Sequence, residues 1–580
     1  MGNCRYHHNF QPGETVEKQI IIINNSRQTV TGDAAWTFAL PQTVNGGKRV
    51  TIETGEQARI PLRFALPATL APGEYELTMK VKFNTGGMQE DSFAIHVLPK
   101  MNAPKPEVKI ALYDPKGETE KLLNDMGIHY DTVDADVDLS GYSVLVVGKA
   151  ALTVDGPAPD IGRVRDGLKA LIFEQKSDVL EKRFGFRVQE YGLRRVFKRV
   201  PDHPILQEAT DDWRFAGLTG GLDTEHLRDW RGKATIVSPR LKYELRPRYG
   251  PTIEWSGIKV TRAWRSSRYG NVASVLIEKP ARGDFLPIVD GGFDLQYSPL
   301  MEYREGKGIV LFCQMDVTGR TESDPAAIRL VQNLLNYVST YKPTPQREPL
   351  YVGEQPGKEY FEKAGMSLSI YQGGVLNANQ VLIVGPGGGQ KLADHAGAVG
   401  AWLREGGNLL TIGLTEQEAN AFLPFEVRMK KAEHISTYFE PAGIKSPLAG
   451  IGSADVSVRE PRELPLVLEG ASIIGDGVLA TAKDFNVVFC QLVPWQFDYE
   501  KLYNLKMTFR RTSFLVSRLL ANMGAPSSTL LLSRFANPVG EDVKDVRMSP
   551  RELSRQGRWL NGFYLDSPVE MDDPYRFFRW

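Results

Sequence analysis

Cysteine is scarce in this 580-residue chain: Cys4, Cys313 and Cys490 lie far apart and form no CxxC pair. Neither a disulfide framework nor a zinc cluster is indicated, and Cys313 and Cys490, inside apolar strands, read as inert core thiols. An excess of one charge is also missing, since Lys plus Arg and Asp plus Glu each total 70. No overall field draws the chain to nucleic acid or an anionic membrane, and any site for a charged ligand has to be local. Long apolar runs are absent too. Nothing approaches the roughly 18 residues of a membrane span, and Met1-Gly2-Asn3-Cys4-Arg5-Tyr6-His7-His8 contains no apolar signal core. The expectation is a soluble chain, cytoplasmic by default. His129, His203, His226, His395 and His434 show no HxH or HExxH spacing, so no metal is expected.

What is present is an ordinary globular composition, 42% hydrophobic, 10% aromatic and 24% charged. The length predicts roughly three to five domains. From residue 10 to 98 the pattern is strands and turns with no helical period, as in Tyr75-Glu76-Leu77-Thr78-Met79-Lys80-Val81. This predicts an immunoglobulin-like β-sandwich over 1–99, followed by a stiff proline-bearing linker, 99–106.

Beyond the linker, strands alternate with helices, which predicts parallel sheets covered by helices. The grammar is then repeated. Leu112 has a counterpart in Leu350 (350 − 112 = 238), and Val144-Leu145-Val146-Val147-Gly148 in Val381-Leu382-Ile383-Val384-Gly385 (385 − 148 = 237). Phe312-Cys313-Gln314 answers Phe489-Cys490-Gln491 (490 − 313 = 177), so the first copy carries about 60 extra residues. Each copy closes on a helical run, 326–341 and 513–523, the first with Asp324 as N-cap and Pro325 at the first helical position. The predicted fold class is α/β with an N-terminal all-β domain: the sandwich, flavodoxin-like domains at 107–341 and 349–525, and an extension at 526–580.

Gly385-Pro386-Gly387-Gly388-Gly389-Gln390-Lys391 follows a strand and opens a helix, a place where backbone N–H groups cradle anions. Gln390 and Leu392 break the P-loop pattern and no GxGxxG is present, so no nucleotide cofactor is expected. Strand, Gly-Pro-Gly-Gly loop, helix and the next strand, Asn408-Leu409-Leu410-Thr411-Ile412-Gly413, together resemble the core of class I glutamine amidotransferases. The resemblance implies an oxyanion-hole amide in the loop and a nucleophilic cysteine at the turn after the second strand. Leu414-Thr415 stand there, and Glu174-Gln175 in the first copy, so the thiolate that the reaction needs is missing.

The same catalytically empty domain resembles the trimerisation domain of certain β-galactosidases and modules of large multidomain glycoside hydrolases. Phrases that carry this are Pro12-Gly13-Glu14-Thr15-Val16, Ser446-Pro447-Leu448-Ala449-Gly450-Ile451-Gly452 and Asp572-Asp573-Pro574-Tyr575-Arg576. The resemblance implies an accessory, non-catalytic role, with a barrel-bearing catalytic partner or a homo-oligomer as its company. No segment has room for a (β/α)₈ barrel of about 250 residues with paired carboxylates at its strand ends.

Two alternatives have residues of their own. Asp290, Asp294, Glu302 and Asp316 fall near the end of the first sheet where open α/β folds bind ligands, and two of them would make a glycoside hydrolase's acid/base pair. An insertion at 194–284 interleaves arginines with aromatics, among them Trp230, Arg246, Arg248, Trp255 and Trp264; flat rings suit sugars and guanidinium groups suit acidic glycans. Trp495 is a further candidate for lining a cleft. Core packing is the simpler reading of these tryptophans, and turn or cap duty the simpler reading of Asp316.

Overall fold

The computed structural model describes residues 9–99, 106–193, 196–207, 272–292, 295–319, 324–499, 501–502 and 505–536, with the backbone of three short strands between 244 and 260. It is a mixed α/β protein with all-β sheets at its N-terminus and parallel-strand sheets after them.

Strands β1 (Asn9–Phe10), β2 (Thr15–Ile23), β3 (Val30–Phe38), β4 (Val44–Ile52), β5 (Gln57–Ala65), β6 (Gly73–Phe83) and β7 (Met88–Val97) form two layers, β1-β7-β6-β3-β4 and β2-β5. Alternation sets the core: Val16, Ile20 and Ile22 point inward with Phe38, Ile60, Phe64 and Val81, whereas Ile21 and Ile23 of the same isoleucine run stay exposed. No helix occurs here among the described residues.

The first α/β unit contains β8 (Ile110–Tyr113), β9 (Asp131–Thr132), β10 (Val144–Val147), β11 (Lys169–Ile172), β12 (Val188–Leu193) and β13 (Phe197–Lys198). The short strands β14 (Glu244–Arg246), β15 (Gly250–Trp255) and β16 (Ile258–Val260) pair only with one another, and β17 (Ala273–Glu278), β18 (Asp284–Gly291), β19 (Tyr297–Glu305) and β20 (Gly308–Cys313) return to the main sheet. In the second unit lie β21 (Glu348–Val352), β22 (Ser369–Ile370), β23 (Gln380–Val384), β24 (Asn408–Ile412), β25 (Arg428–His434), β26 (Arg462–Glu469), β27 (Ser472–Ile474), β28 (Leu479–Thr481) and β29 (Asn486–Cys490). The sheets run β9-β8-β10-β11-β20-β19-β17-β12, with β18 beside β19 and β13 beside β18, and β22-β21-β23-β24-β29-β28-β27, so the first seven strands of the one follow the order of the other.

Register places the landmarks. Gly148 N donates to Tyr113 O at 2.9 Å and Gly385 N to Val352 O at 2.8 Å, while Cys313 faces Leu300 of β19 as Cys490 faces Leu479 of β28. Leu112, however, does not stand on Leu350. It shares its sheet face with the helix Pro325–Thr340, and the residue on the corresponding face of the second unit is Tyr351, while Leu350 points to the opposite side. Side chains alternate along a strand, so the separation of 238 is one residue short. The turn after β10 and β23 matches too: Ala150 has φ 48° where Gly387 has φ 74°. A non-glycine residue in the left-handed region stores strain, here held by Ala150 N donating to Glu174 O at 2.7 Å.

The helix Pro325–Thr340 starts as its cap predicts, with Asp324 Oδ1 accepting from Ala326 N at 3.0 Å. The second closing helix, Lys506–Asn522, begins seven residues before the expected 513. Lys506, Arg510 and Arg511, on its first turns, are all buried. After this helix the chain turns back. Leu531, Leu532 and Phe535 of the helix Leu531–Ala536 join the core of the first unit, where Phe535 meets Phe184 with ring centroids 4.8 Å apart. Fully buried Arg183 donates to Thr153 O at 2.8 Å, to Gly156 O at 2.7 Å and to Phe535 O. Residues 537–580, including the aromatic-rich stretch 558–580 expected to dock on a folded surface, lie outside the described residues. Truncating Phe535 to alanine is expected to cost about 3 to 5 kcal/mol, because the cavity opens inside the first unit. The check is the urea midpoint of the full chain, read on a probe confined to residues 107–341.

Candidate functional site

Two of the acidic candidates, Asp290 and Glu302, are tied into buried ion pairs. Asp290 sits near the end of β18, all of whose residues are buried, and its Oδ2 accepts from Arg199 Nε at 2.7 Å and Lys279 Nζ at 3.3 Å. The same ammonium donates to Asp455 Oδ1 of the second unit at 2.7 Å. Glu302, on β19, has Oε1 2.6 Å from His203 Nε2 and accepts on Oε2 from Arg304 at 2.9 and 2.6 Å. Burial alone would raise the Glu302 carboxyl; the guanidinium of Arg304 and the imidazole of His203 outweigh it and hold the group far below the usual carboxylate range. Such a group cannot carry a proton to a leaving glycosidic oxygen near neutral pH. Asp316 is half-buried and accepts from Ser274 Oγ at 2.7 Å. Asp294 lies outside the described residues.

Of these, the Lys279–Asp455 pair belongs to a larger seam between the first unit and the chain that follows it, whereas the Glu302 pairs stay inside the first unit. Arg518 Nη1 approaches Asp284 Oδ1 at 2.7 Å, Arg187 Nε donates to Glu278 Oε2 at 2.8 Å, and Arg510 stands 3.9 Å from the same carboxylate. Asp202 accepts from Ile444 N at 2.7 Å, and Ser527 Oγ accepts from Gly283 N at 2.8 Å. Gly452 lies against the Arg199 guanidinium, and a Cβ there would fall 1.3 Å from Nη1, so a larger residue would have to displace this side chain from its place beside Asp290. Burial, with Arg510 and Arg187 adding to it, pushes the Lys506 ammonium down to about 5. The sequence offered no sign that these charges are interior, since ion pairing across 176 residues, as between Lys279 and Asp455, has no local pattern.

The C-terminal sheet edge, where the amidotransferase-like turn falls, differs between the units. In the second it is filled by the protein itself. A Cβ on Gly413 would lie 2.3 Å from Val493 Cγ2, Leu414 is fully buried, and Thr415 serves as the N-cap of Glu416–Asn420 in a capping box with Glu418. Glu418 Oε1 also accepts from Gly387 N at 2.6 Å, so this amide of the glycine loop is spent inside the fold. In the first unit the edge is polar. Glu174, buried, accepts from Thr318 N and Thr318 Oγ1, each at 2.9 Å. Burial raises its carboxyl to about 7, against the pull of nearby Lys149. Gln175 Nε2 donates to Gly148 O and Phe173 O, and its Oε1 accepts from Leu152 N. Glu174 was visible in the sequence only as the occupant of a position where cysteine was sought.

The remaining candidates resolve simply. Trp495 is half-buried, donates from Nε1 to Glu354 Oε1 at 2.6 Å, and packs on Tyr360 and Phe361 at 5.3 and 5.9 Å between centroids. These contacts tie it to the helix Gln355–Lys363 and its N-cap Glu354. Arg246 and Trp255 lie on β14 and β15, known here by backbone alone; Trp230, Arg248 and Trp264 lie outside the described residues. Burial pushes the Cys490 thiol up to about 12 and the Cys313 thiol well above its ordinary value, so neither is a nucleophile near neutral pH. No metal-binding cluster of His, Cys, Asp or Glu occurs among the described residues, and no helix among them is long and apolar enough to cross a membrane.

No family model and no curated protein matches the chain. Among solved structures, 31% of the chain is similar to 98% of PurLQS from Thermotoga maritima, at 11% identity and a TM-score of 0.23. A β-glucuronidase of Bacteroides uniformis is matched over 28% of this chain and 21% of its own, at 10% identity and a TM-score of 0.14. For a family 123 glycoside hydrolase from Clostridium perfringens the shares are 20% and 27%, at 12% identity and a TM-score of 0.12. The chain thus spans about a quarter of the length of the two hydrolases it matches. Scores at this level carry no argument about activity.

Replacing Glu302 by glutamine is expected to destabilise the protein by about 3 to 5 kcal/mol near neutral pH, because Arg304 is left buried without its counter-charge. The sign follows from the depressed carboxyl. Its contribution is complete above the unfolded value, about 4.3, and is lost only as pH falls far below it. Denaturation midpoints of the variant and the wild type should therefore converge only in strong acid.

Proposed function

We propose that this chain is a non-catalytic accessory or assembly component of a glycoside-hydrolase system for carbohydrate degradation. In this reading residues 1–99 are an immunoglobulin-like spacer, 107–341 and 349–525 are two amidotransferase-like domains, and 526–580 is an extension. The two α/β domains form one rigid body that presents a surface to a barrel-bearing partner or to further copies of the chain. The observation that carries the reading is the burial of two of the acidic candidates in ion pairs: Asp290 with Arg199 and Lys279, the latter bridging to Asp455 of the second domain, and Glu302 with His203 and Arg304 inside the first. The occupied elbow positions, Leu414-Thr415 and Glu174-Gln175, support it from the other side, since neither turn offers a nucleophile. The link to carbohydrate comes from the sequence resemblance to accessory modules of large glycoside hydrolases.

A rival hydrolase reading keeps Asp316, which among the described candidates is partly open to solvent. The test is to assay the purified chain on aryl glycosides and on glutamine, alone and with the product of an adjacent gene encoding a catalytic barrel, with light scattering on the same samples. Turnover is expected only in the mixture, together with co-elution. Turnover by the chain alone, abolished by Asp316→Asn with folding intact, would overturn the accessory reading.

A further inference from the structure

We propose that the open edge of the second α/β sheet, at β22, is a self-association surface on which Ile370 pairs with Ile370 of a second copy of this chain across a two-fold axis. Ser369 and Ile370 end the path of their sheet, and no strand of the described residues lies beyond them. Tyr371 N donates inward to Tyr351 O at 3.1 Å, and successive residues of a strand turn their backbone groups to opposite sides. The Ile370 N–H and C=O therefore face the open edge, and its side chain is 43% exposed. Two antiparallel copies centred on Ile370 exchange both N–H···O bonds, the geometry of a hydrogen-bonded strand pair.

Charge decides which partner fits. From Met366 to Gln390 the chain has no Asp, Glu, Lys, Arg or His. Along the edge and the turn after it Ser367, Ser369, Ile370, Gln372, Gly374 and Val375 are exposed, the valine by 96%. The first unit treats the same edge in the opposite way. Asp131 and Thr132 of β9 stand in register with Ala111 and Leu112 as Ser369 and Ile370 stand with Leu350 and Tyr351, and Asp131, Asp134, Asp136 and Asp138 are all exposed there. Charges on an edge strand keep other strands away. A two-fold axis sets a patch against itself, so the aspartates at β9 repel their own copies, whereas the neutral edge at β22 meets no like charge. A strongly charged partner would give up hydration there without gaining an ion pair. The inference rests on the assembly reading above and names the surface through which further copies of the chain join. With a single strand residue pairing at its centre, the contact is small and its affinity low.

Sedimentation equilibrium of the full chain between about 1 and about 100 µM should show monomer and dimer in exchange, and hydrogen exchange at the Ile370 amide should slow as the concentration rises. Ile370→Lys and Ile370→Asp each set a charge against its own copy. Each should weaken the dimer by about tenfold or more, and because the position is exposed, circular dichroism of the monomer should not change. An equal mixture of the two variants places opposite charges across the axis and should recover association. A wild-type chain that stays monomeric at about 100 µM overturns the proposal and leaves the assembly reading with its barrel-bearing partner alone. A dimer that neither substitution weakens, or a mixture that behaves no differently from its components, also overturns it, and in that case the assembly reading keeps its further copies but not this surface.

Discussion

Lys279 lies between two carboxylates from different parts of the chain, Asp290 at 3.3 Å and Asp455 at 2.7 Å, with all three groups nearly sealed from solvent. An ammonium ion in such a place is costly to desolvate, and the cost is offset only when both partners are in position. Neither α/β unit alone supplies both. The same holds for Arg518 against Asp284 and for Arg510 against Glu278. Buried pairs of this kind add little stability over a well-packed apolar seam, but a displaced arrangement strands charge in the interior. Geometry is what they enforce: the two sheets meet at one angle and one offset.

Buried pairing of the same kind takes Asp290 and Glu302 out of acid/base chemistry. Catalysis by two carboxyl groups needs opposite protonation states and access for water or sugar. Glu302 is locked in its charged form and walled in, and Asp290 is held by two cations. The polar edge at Glu174 is different in kind. Its carboxyl accepts from a threonine of the same unit rather than from a second domain.

Much of this architecture was legible in the amino-acid sequence, and the limits of that reading are physical. Apolar strands with glycine at their ends gave the parallel cores, and Asp324-Pro325 located its helix because capping is a local interaction. Leu112 was misaligned by one residue because an all-apolar buried strand, unlike an alternating one, does not betray which side chain faces which layer. The helix Lys506–Asn522 was begun too late because its first turns carry Lys506, Arg510 and Arg511, whose burial depends on partners far away in sequence. Trp495 belongs with them: its indole contacts are made by a helix more than a hundred residues earlier. Position on the sheet could be read; partnership between distant charges could not.

The return of the helix Leu531–Ala536 to the first α/β unit sets an order in time. Arg183 and Phe535, 352 residues apart, complete one core, and that core has an aromatic vacancy until the whole second unit has been made. At about 5 to 20 residues per second, translation leaves the first unit waiting for tens of seconds with Phe184 and its neighbours uncovered. Maturation of the chain is thus not a simple procession from one end to the other. The last described helix closes a gap left open by the middle of the sequence, so a ribosome that stops short of it releases a first unit whose core is unfinished.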